Sequence, residues 1–283
     1  MLIFLFTIFA SLIIFLFFYL NHLHALKKSK SLQINGLNML KDFRLLLTAI
    51  QQHRGLSMAF LNGDAGLSKR IHPLEVQMQQ MFSDIDLNND WVKGNITWSG
   101  ITDHWSRLLV NYTHYESEYN FRQHCNLVIN LLNLIEECAE THQLQTLFSN
   151  TKNKTNFLWS QLLISAEHIG QMRGIGTSIA SAQKATNLQC IQLNYLLVCV
   201  TEFINTPYHQ LDTKLISEFI ATVNQEILAK SVDISAEVFY NLATATIDDL
   251  LAKSDDYLNQ LLHIPALHKH KEEFKDFFAN NCF

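Results

Sequence analysis

Two stretches of this chain carry one phrase, I-x-Q-x-R-G-[LI]: IQQHRGL at residues 50–56 and IGQMRGI at residues 169–175. Each sets a permanently charged guanidinium one residue before a glycine inside an otherwise helical pattern. Following the three-then-four spacing of a helix face, the first phrase lies on Phe43, Leu47, Ile50, Arg54, Ser57 and Leu61. The second lies on Trp159, Leu162, Ala166, Ile169, Arg173, Gly176 and Ala180. In both, arginine replaces an apolar residue on the stripe that packs against other helices. Arg44, Arg107 and Arg122 fall off their local stripes, so Arg54 and Arg173 are the two expected to turn inward.

Burying a guanidinium is costly unless an anion meets it. Its fork suits a planar oxyanion, donating two parallel hydrogen bonds to two oxygens. Glycine inside a helix costs about 1 kcal/mol relative to alanine, and Gly55, Gly174 and Gly176 accept that cost at matching places. A missing side chain lets a facing helix or ligand approach the backbone. The chemistry implied is an anion pocket. Arg54 and Arg173 clamp oxygens, Gly55 and Gly174 allow approach, Ser57 adds a hydroxyl, and His53 with Gln52 or Gln171 supplies peripheral donors. The alternative is that each arginine pairs with a buried carboxylate, Asp249 for instance, and the glycines merely ease packing.

The elements that must position these residues are helical throughout, with no alternating run long enough for a sheet. The pattern predicts helices over 33–62, 68–86, 100–119, 121–149, 154–184, 187–205, 210–230, 235–262 and 267–280. Breaks fall at Asn62-Gly63-Asp64, Asn88-Asn89-Asp90, Ser149-Asn150-Thr151, Asn205-Thr206-Pro207 and Pro265. Long helices with short connections imply two packed antiparallel bundles, one beginning near residue 33 and the other near 154. Ahead of them, Leu2 to Leu20 form an uncharged apolar run. At about 1.5 Å per residue it reaches a hydrocarbon core of roughly 30 Å. Nothing basic precedes it and no A-x-A cleavage site follows, so it is expected to be an uncleaved transmembrane helix rather than a signal peptide. Lys27, Lys28 and Lys30 follow it, which places the remainder on the cytoplasmic side of the inner membrane, single-pass, with a periplasmic domain as the alternative. The expected organisation is an all-α chain: anchor and basic flank over 1–30, double bundle over 31–266, terminal helix and tail over 267–283.

Composition narrows the function. Among 283 residues the net charge is -5 and lysines are scattered, so the basic stripe that nucleic acid requires is missing. Five cysteines without C-x-x-C spacing read as reduced core residues. Thirteen histidines include no E-x-x-H or H-x-x-x-H pair, so no metal is expected. No nucleophile elbow, P-loop or dinucleotide fingerprint occurs, so neither enzyme chemistry nor a cofactor is expected.

AIQQHRGLSMAFLNGD (49–64) resembles the signature of the nitrate- and nitrite-sensing (NIT) domain family of bacterial receptors, whose first long helix carries an L-Q-x-E-R-G-x-S-like stretch. AEHIGQMRGIGTSIA (166–180) is similar to that family's second arginine segment, and VFYNLATATIDDLL (238–251) to its late helix. The resemblance implies two packed helical bundles that bind nitrate or nitrite between them, with Arg54 and Arg173 as ligand residues. The chain departs from the family in having His53-Arg54 where some members show adjacent arginines, and in having no arginine after Arg173. Family members often carry an output module; none is recognised before Phe283, so the signal is expected to pass through the anchor or to a separate output protein. A homodimer is compatible with a single-span sensor of long helices. The runner-up expectation is a scaffold bundle with internally paired arginines, and a third is a helical receptor for another small ligand.

Overall fold

The computed structural model describes residues 2–148, 161–205 and 212–263; within the first helix, the side chains of residues 2–5, 7, 8 and 11 lie outside the description. The described residues are helical, without a strand. Helix α1, Leu2–Leu61, runs unbroken from the apolar stretch through the basic flank to the first arginine phrase. Separate helices were expected here. Between residues 20 and 37 there is no proline, and the single glycine, Gly36, is used for packing: a Cβ there would meet Cβ of His142 at 2.4 Å. The helix stops at Gly63, whose φ of 110° is open to glycine at little cost, and the Asp64 side chain accepts from the amide of Gly66.

Helices α2 (Ser68–Asn88), α3 (Asp90–Lys93), α4 (Ile96–Asn111) and α5 (Ser117–Thr141) complete the first half. Asn95 caps α4, its side chain accepting from the amide of Trp98 at 2.9 Å. The expected single helix over 100–119 is divided: Tyr112–His114 tighten into a 3-10 turn, and Tyr115 and Glu116 are extended. No Gly or Pro marks this break. Its cause is tertiary, because Tyr112 is turned inward against the ring of His53.

The second half comprises α6 (Leu163–Ala182), α7 (Asn187–Asn205), α8 (Lys214–Thr222), which continues as a π-turn over Val223–Ile227, and α9 (Ala236–His263). The C-terminal part of α1 packs on α2 and α5, with α4 against α5. In the other half α6 packs on α7 and α9. Contacts of α1 with α9 and of α5 with α6 join the two, and one continuous hydrophobic core spans them. The start expected near 154 with Trp159, and the terminal helix over 267–280, lie outside the described residues.

Among the described residues no helix is long and apolar enough to cross a membrane. Several side chains of the apolar run fall outside that set. Of those that are described, Phe6, Phe9 and residues 12–20 are exposed around the helix circumference, and Ala10 is half-buried.

Candidate functional site

From Phe43 to Ser57 the first stripe is buried as its spacing implies, with Leu61 half-buried at its end, and Arg54 is buried with it: 2% of its surface is exposed. Its guanidinium has a counter-ion. Nη1 donates to Oε1 of Glu167 at 2.5 Å and Nη2 to Oε2 at 3.1 Å, fork to fork. Glu167 stands on α6, and two amides complete its shell: Gln51 donates to Oε2 at 2.8 Å and Gln171 to Oε1 at 2.9 Å. Each carboxylate oxygen therefore accepts two hydrogen bonds. Burial alone would depress the Arg54 pKa, but Glu167 and then Cys125 hold it above the ordinary arginine value. Cys125 Sγ lies 3.1 Å from Nη1, and burial pushes that thiol up to about 11, so it stays protonated at neutral pH.

Gly170 makes this contact sterically feasible. A Cβ there would come within 2.9 Å of Arg54 Nη2. The role expected of Gly55 falls to Gly170, because nothing lies within 4 Å of a Cβ built at Gly55. A Cβ built at Gly174 would lie 3.3 Å from Cε2 of Phe121, and Phe121 in turn carries the Arg54 guanidinium over its face, 5.3 Å from the centroid.

Arg173 is placed differently. It is half-buried, donates from Nη1 to the Thr244 hydroxyl at 2.9 Å, and lies over the Tyr240 ring, 4.9 Å from its centroid. No carboxylate among the described residues forms an ion pair with it. Burial first, and also repulsion from Arg54, hold its pKa below the ordinary arginine value despite favourable fields from Tyr240, Asp248 and Glu167. The two arginines are thus close enough to feel each other, but one is neutralised and the other is not.

His53 and Ser57, expected as donors to an anion, are committed elsewhere. Ser57 Oγ donates to the Arg54 carbonyl at 3.2 Å and accepts from Asn120 Nδ2 at 2.9 Å. His53 is fully buried between Trp105 and Tyr112, with Nδ1 2.8 Å from Nε2 of His124. His124 Nδ1 lies 2.8 Å from the Asn120 carbonyl, so that nitrogen must carry hydrogen and Nε2 must accept. His53 Nδ1 then donates, and its Nε2 faces Oε1 of Glu75 at 3.3 Å. That last contact is a hydrogen bond only with a proton in it. The His53 hydrogen bond is the foremost cause holding the Glu75 carboxyl below its ordinary value. The result is a Glu75–His53–His124 chain, with both histidines buried and Glu75 half-buried, that fixes α1 to α2 and α5.

Three further expectations are corrected. Arg44 also turns inward, paired with Asp255 and directed at the Leu251 carbonyl at 3.5 Å, because the α1–α9 contact buries a face that the first-bundle stripe does not include. Asp249 pairs with Lys253 one turn along its own helix rather than with an arginine. Gln52 is exposed, and its neighbour Gln51 is the buried amide. Sequence reading missed Glu167, although it lies next to Ala166 on the inward stripe and one turn before Gln171. A groove of about 720 Å³ between α4 and α5, lined by His104, Arg107, Tyr115 and Tyr119 among others, is not lined by either arginine.

No protein-family model matches this chain, and neither a curated protein nor a solved structure does. Among the described residues, no three His, Cys, Asp or Glu side chains are grouped to hold a metal.

Proposed function

We propose that this chain is a membrane-anchored receptor for a small planar oxyanion, nitrate or nitrite first, and that Arg173 is the cation that recognises it. The observation that carries this reading is the asymmetry between two neighbouring arginines. Arg54 is neutralised by Glu167, whereas Arg173, half-buried on the stripe of the second phrase, makes one hydrogen bond to a neutral hydroxyl and pairs with no described carboxylate. A partly desolvated guanidinium gains more from an arriving anion than a fully hydrated one does. Its fork leaves donors for two oxygens, with Tyr240 bracing the plane from one side. Tyr240 and Thr244 both fall in the third segment that resembles the nitrate- and nitrite-sensing family.

Binding at Arg173 would favour whichever packing of α6 against α9 gives the anion most contact, and so shift the population of bundle arrangements. Helix α1 offers the output route, since it joins the arginine seam to the apolar run without a break. The exposed side chains on all sides of residues 12–20 support lipid as the environment of that run, and the lysines after it support a cytoplasmic bundle. A separate protein receives the signal.

A second reading is favoured by the Arg54–Glu167 contact: a scaffold whose arginines are satisfied internally. Thermal unfolding of the full chain in detergent, with millimolar nitrate, nitrite, acetate or sulfate, separates the two. The receptor reading expects nitrate and nitrite to raise the midpoint, by the equivalent of about 2.7 kcal/mol at a hundredfold excess over Kd, and expects Arg173→Ala to abolish the rise. If no anion moves the midpoint, the scaffold reading stands.

A further inference from the structure

The groove between α4 and α5 has a volume of about 720 Å³, inside the roughly 300–1,000 Å³ typical of small-molecule sites. Its α4 wall extends from Thr97 to Asn111, which at the helical rise is about 21 Å. The groove is therefore long and narrow. Among the described residues that line it there is no carboxylate and no lysine, and Leu108 is its one aliphatic side chain. The guanidinium at its edge, Arg107, is neutralised by Asp103 one turn away, at 2.5 Å. A groove of this length with neither net charge nor an apolar floor selects its ligand through hydrogen bonds.

We propose that this groove binds a short neutral oligosaccharide laid along the two helices, with one pyranose ring against Tyr119. Donors and acceptors alternate along it. At one end Asn111 spends an amide hydrogen on the Arg107 carbonyl at 2.7 Å, which leaves its Oδ1 to accept. In the middle, His104 Nε2 donates to Gln123 Oε1 at 3.0 Å across the groove. In the neutral ring His104 Nδ1 is then an acceptor, and Gln123 Nε2 keeps its hydrogens to donate. At the other end stand the Thr97 hydroxyl and the Asn130 amide, each able to do both. An anion needs donors only and a cation acceptors only. A sugar hydroxyl gives one hydrogen and accepts others, so a row of them matches the alternation.

Two further residues fit a sugar. Gly100 lies in the interior of α4 on the groove wall, where glycine costs about 1 kcal/mol relative to alanine, yet a Cβ there would meet nothing within 4 Å. Packing within the chain does not require it; close approach of a ligand ring does. Tyr119 is 42% exposed, and its plane is fixed by the Tyr115 ring, set at 87° with centroids 4.8 Å apart, and by the Arg122 guanidinium, 5.9 Å from its centroid. The negative face of such a ring attracts the C–H groups on one side of a pyranose. An extended peptide offers the same alternation of donors and acceptors, but its side chains need pockets at alternate positions, and Leu108 alone does not build them. Sugar binding here is independent of Arg173, which does not line the groove.

Isothermal titration of the full chain tests it, in a polyoxyethylene detergent that carries no sugar headgroup, with maltotetraose, cellotetraose, N-acetylated chitotetraose and tetra-alanine as probes. At least one tetraose is expected to bind with a Kd of about 1 mM or tighter, and tetra-alanine not to bind. Gly100→Leu, which fills the groove from a position with open space, is expected to abolish binding while holding or raising the thermal midpoint through helix propensity. Tyr119→Ala is expected to weaken binding about tenfold, and Tyr119→Phe, which keeps the ring, by no more than about threefold. Absence of binding by all three tetraoses, binding of tetra-alanine in their place, undiminished binding by Gly100→Leu, or Tyr119→Phe as weak as Tyr119→Ala would each overturn the proposal.

Discussion

Arg54 on α1 and Glu167 on α6 meet fork to fork, 2.5 and 3.1 Å apart, with two glutamine amides closing the carboxylate's remaining acceptor sites. The pair ties the first half of the chain to the second. Removing either member leaves a buried charge without its partner, so Arg54→Ala is expected to cost about 3–5 kcal/mol in chemical denaturation, and Glu167→Ala a similar amount. Arg54→Met/Glu167→Leu removes both charges and is expected to cost less than the two single changes summed. A strictly additive double variant would show that the two side chains do not act as a pair.

The glycines divide into two groups that substitution separates. A Cβ at Gly176 would fall 2.2 Å from Cε1 of Phe239, a ring with no exposed surface to yield into. Gly176→Ala is expected to destabilise by about 1–3 kcal/mol through overpacking. Gly55 meets open space, and alanine there is expected to stabilise by up to about 1 kcal/mol through helix propensity. Thermal midpoints of the two variants moving in the same direction would contradict these contacts.

Acid should weaken the fold from about pH 6.5 downward through its buried histidines. Burial, with repulsion from His53, sets His124 well below its ordinary 6.5, and burial also lowers His168. Both histidines bind a proton more readily unfolded than folded. Their contribution is complete above about pH 6.5 and is lost as pH falls below it. Glu75, held low chiefly by its hydrogen bond from His53, adds a loss below its ordinary 4.5. Unfolding free energy measured from pH 8 to 5 is expected to fall with acidification, and His124→Gln to flatten that slope. Stability that rises between pH 6.5 and 5 would contradict the assignment.

The helices and the inward stripe were readable because period and burial are the same fact seen twice: Phe43, Leu47, Ile50 and Ala166 recur where a helix face must pack. Glu167 was not readable. A glutamate beside an apolar stripe normally faces water, and its partner lies 113 positions away in sequence, brought near by tertiary packing alone. The same holds for the His53–His124 contact, which spans 71 positions, and for the break after Asn111, imposed by Tyr112 docking rather than by a turn residue. Glycine proved legible as a class but not by position. Gly170 and Gly176 admit close neighbours, while Gly55, in the more conspicuous phrase, admits none.

The central claim is that Arg173 is an anion's partner and Arg54 is not. Isothermal titration of nitrate and nitrite into the full chain in detergent, alongside Arg173→Ala, tests it most directly. The account predicts saturable heat with the wild type at millimolar anion or below and none with the variant. Absent heat from the wild type, or equal heat from both proteins, would contradict it.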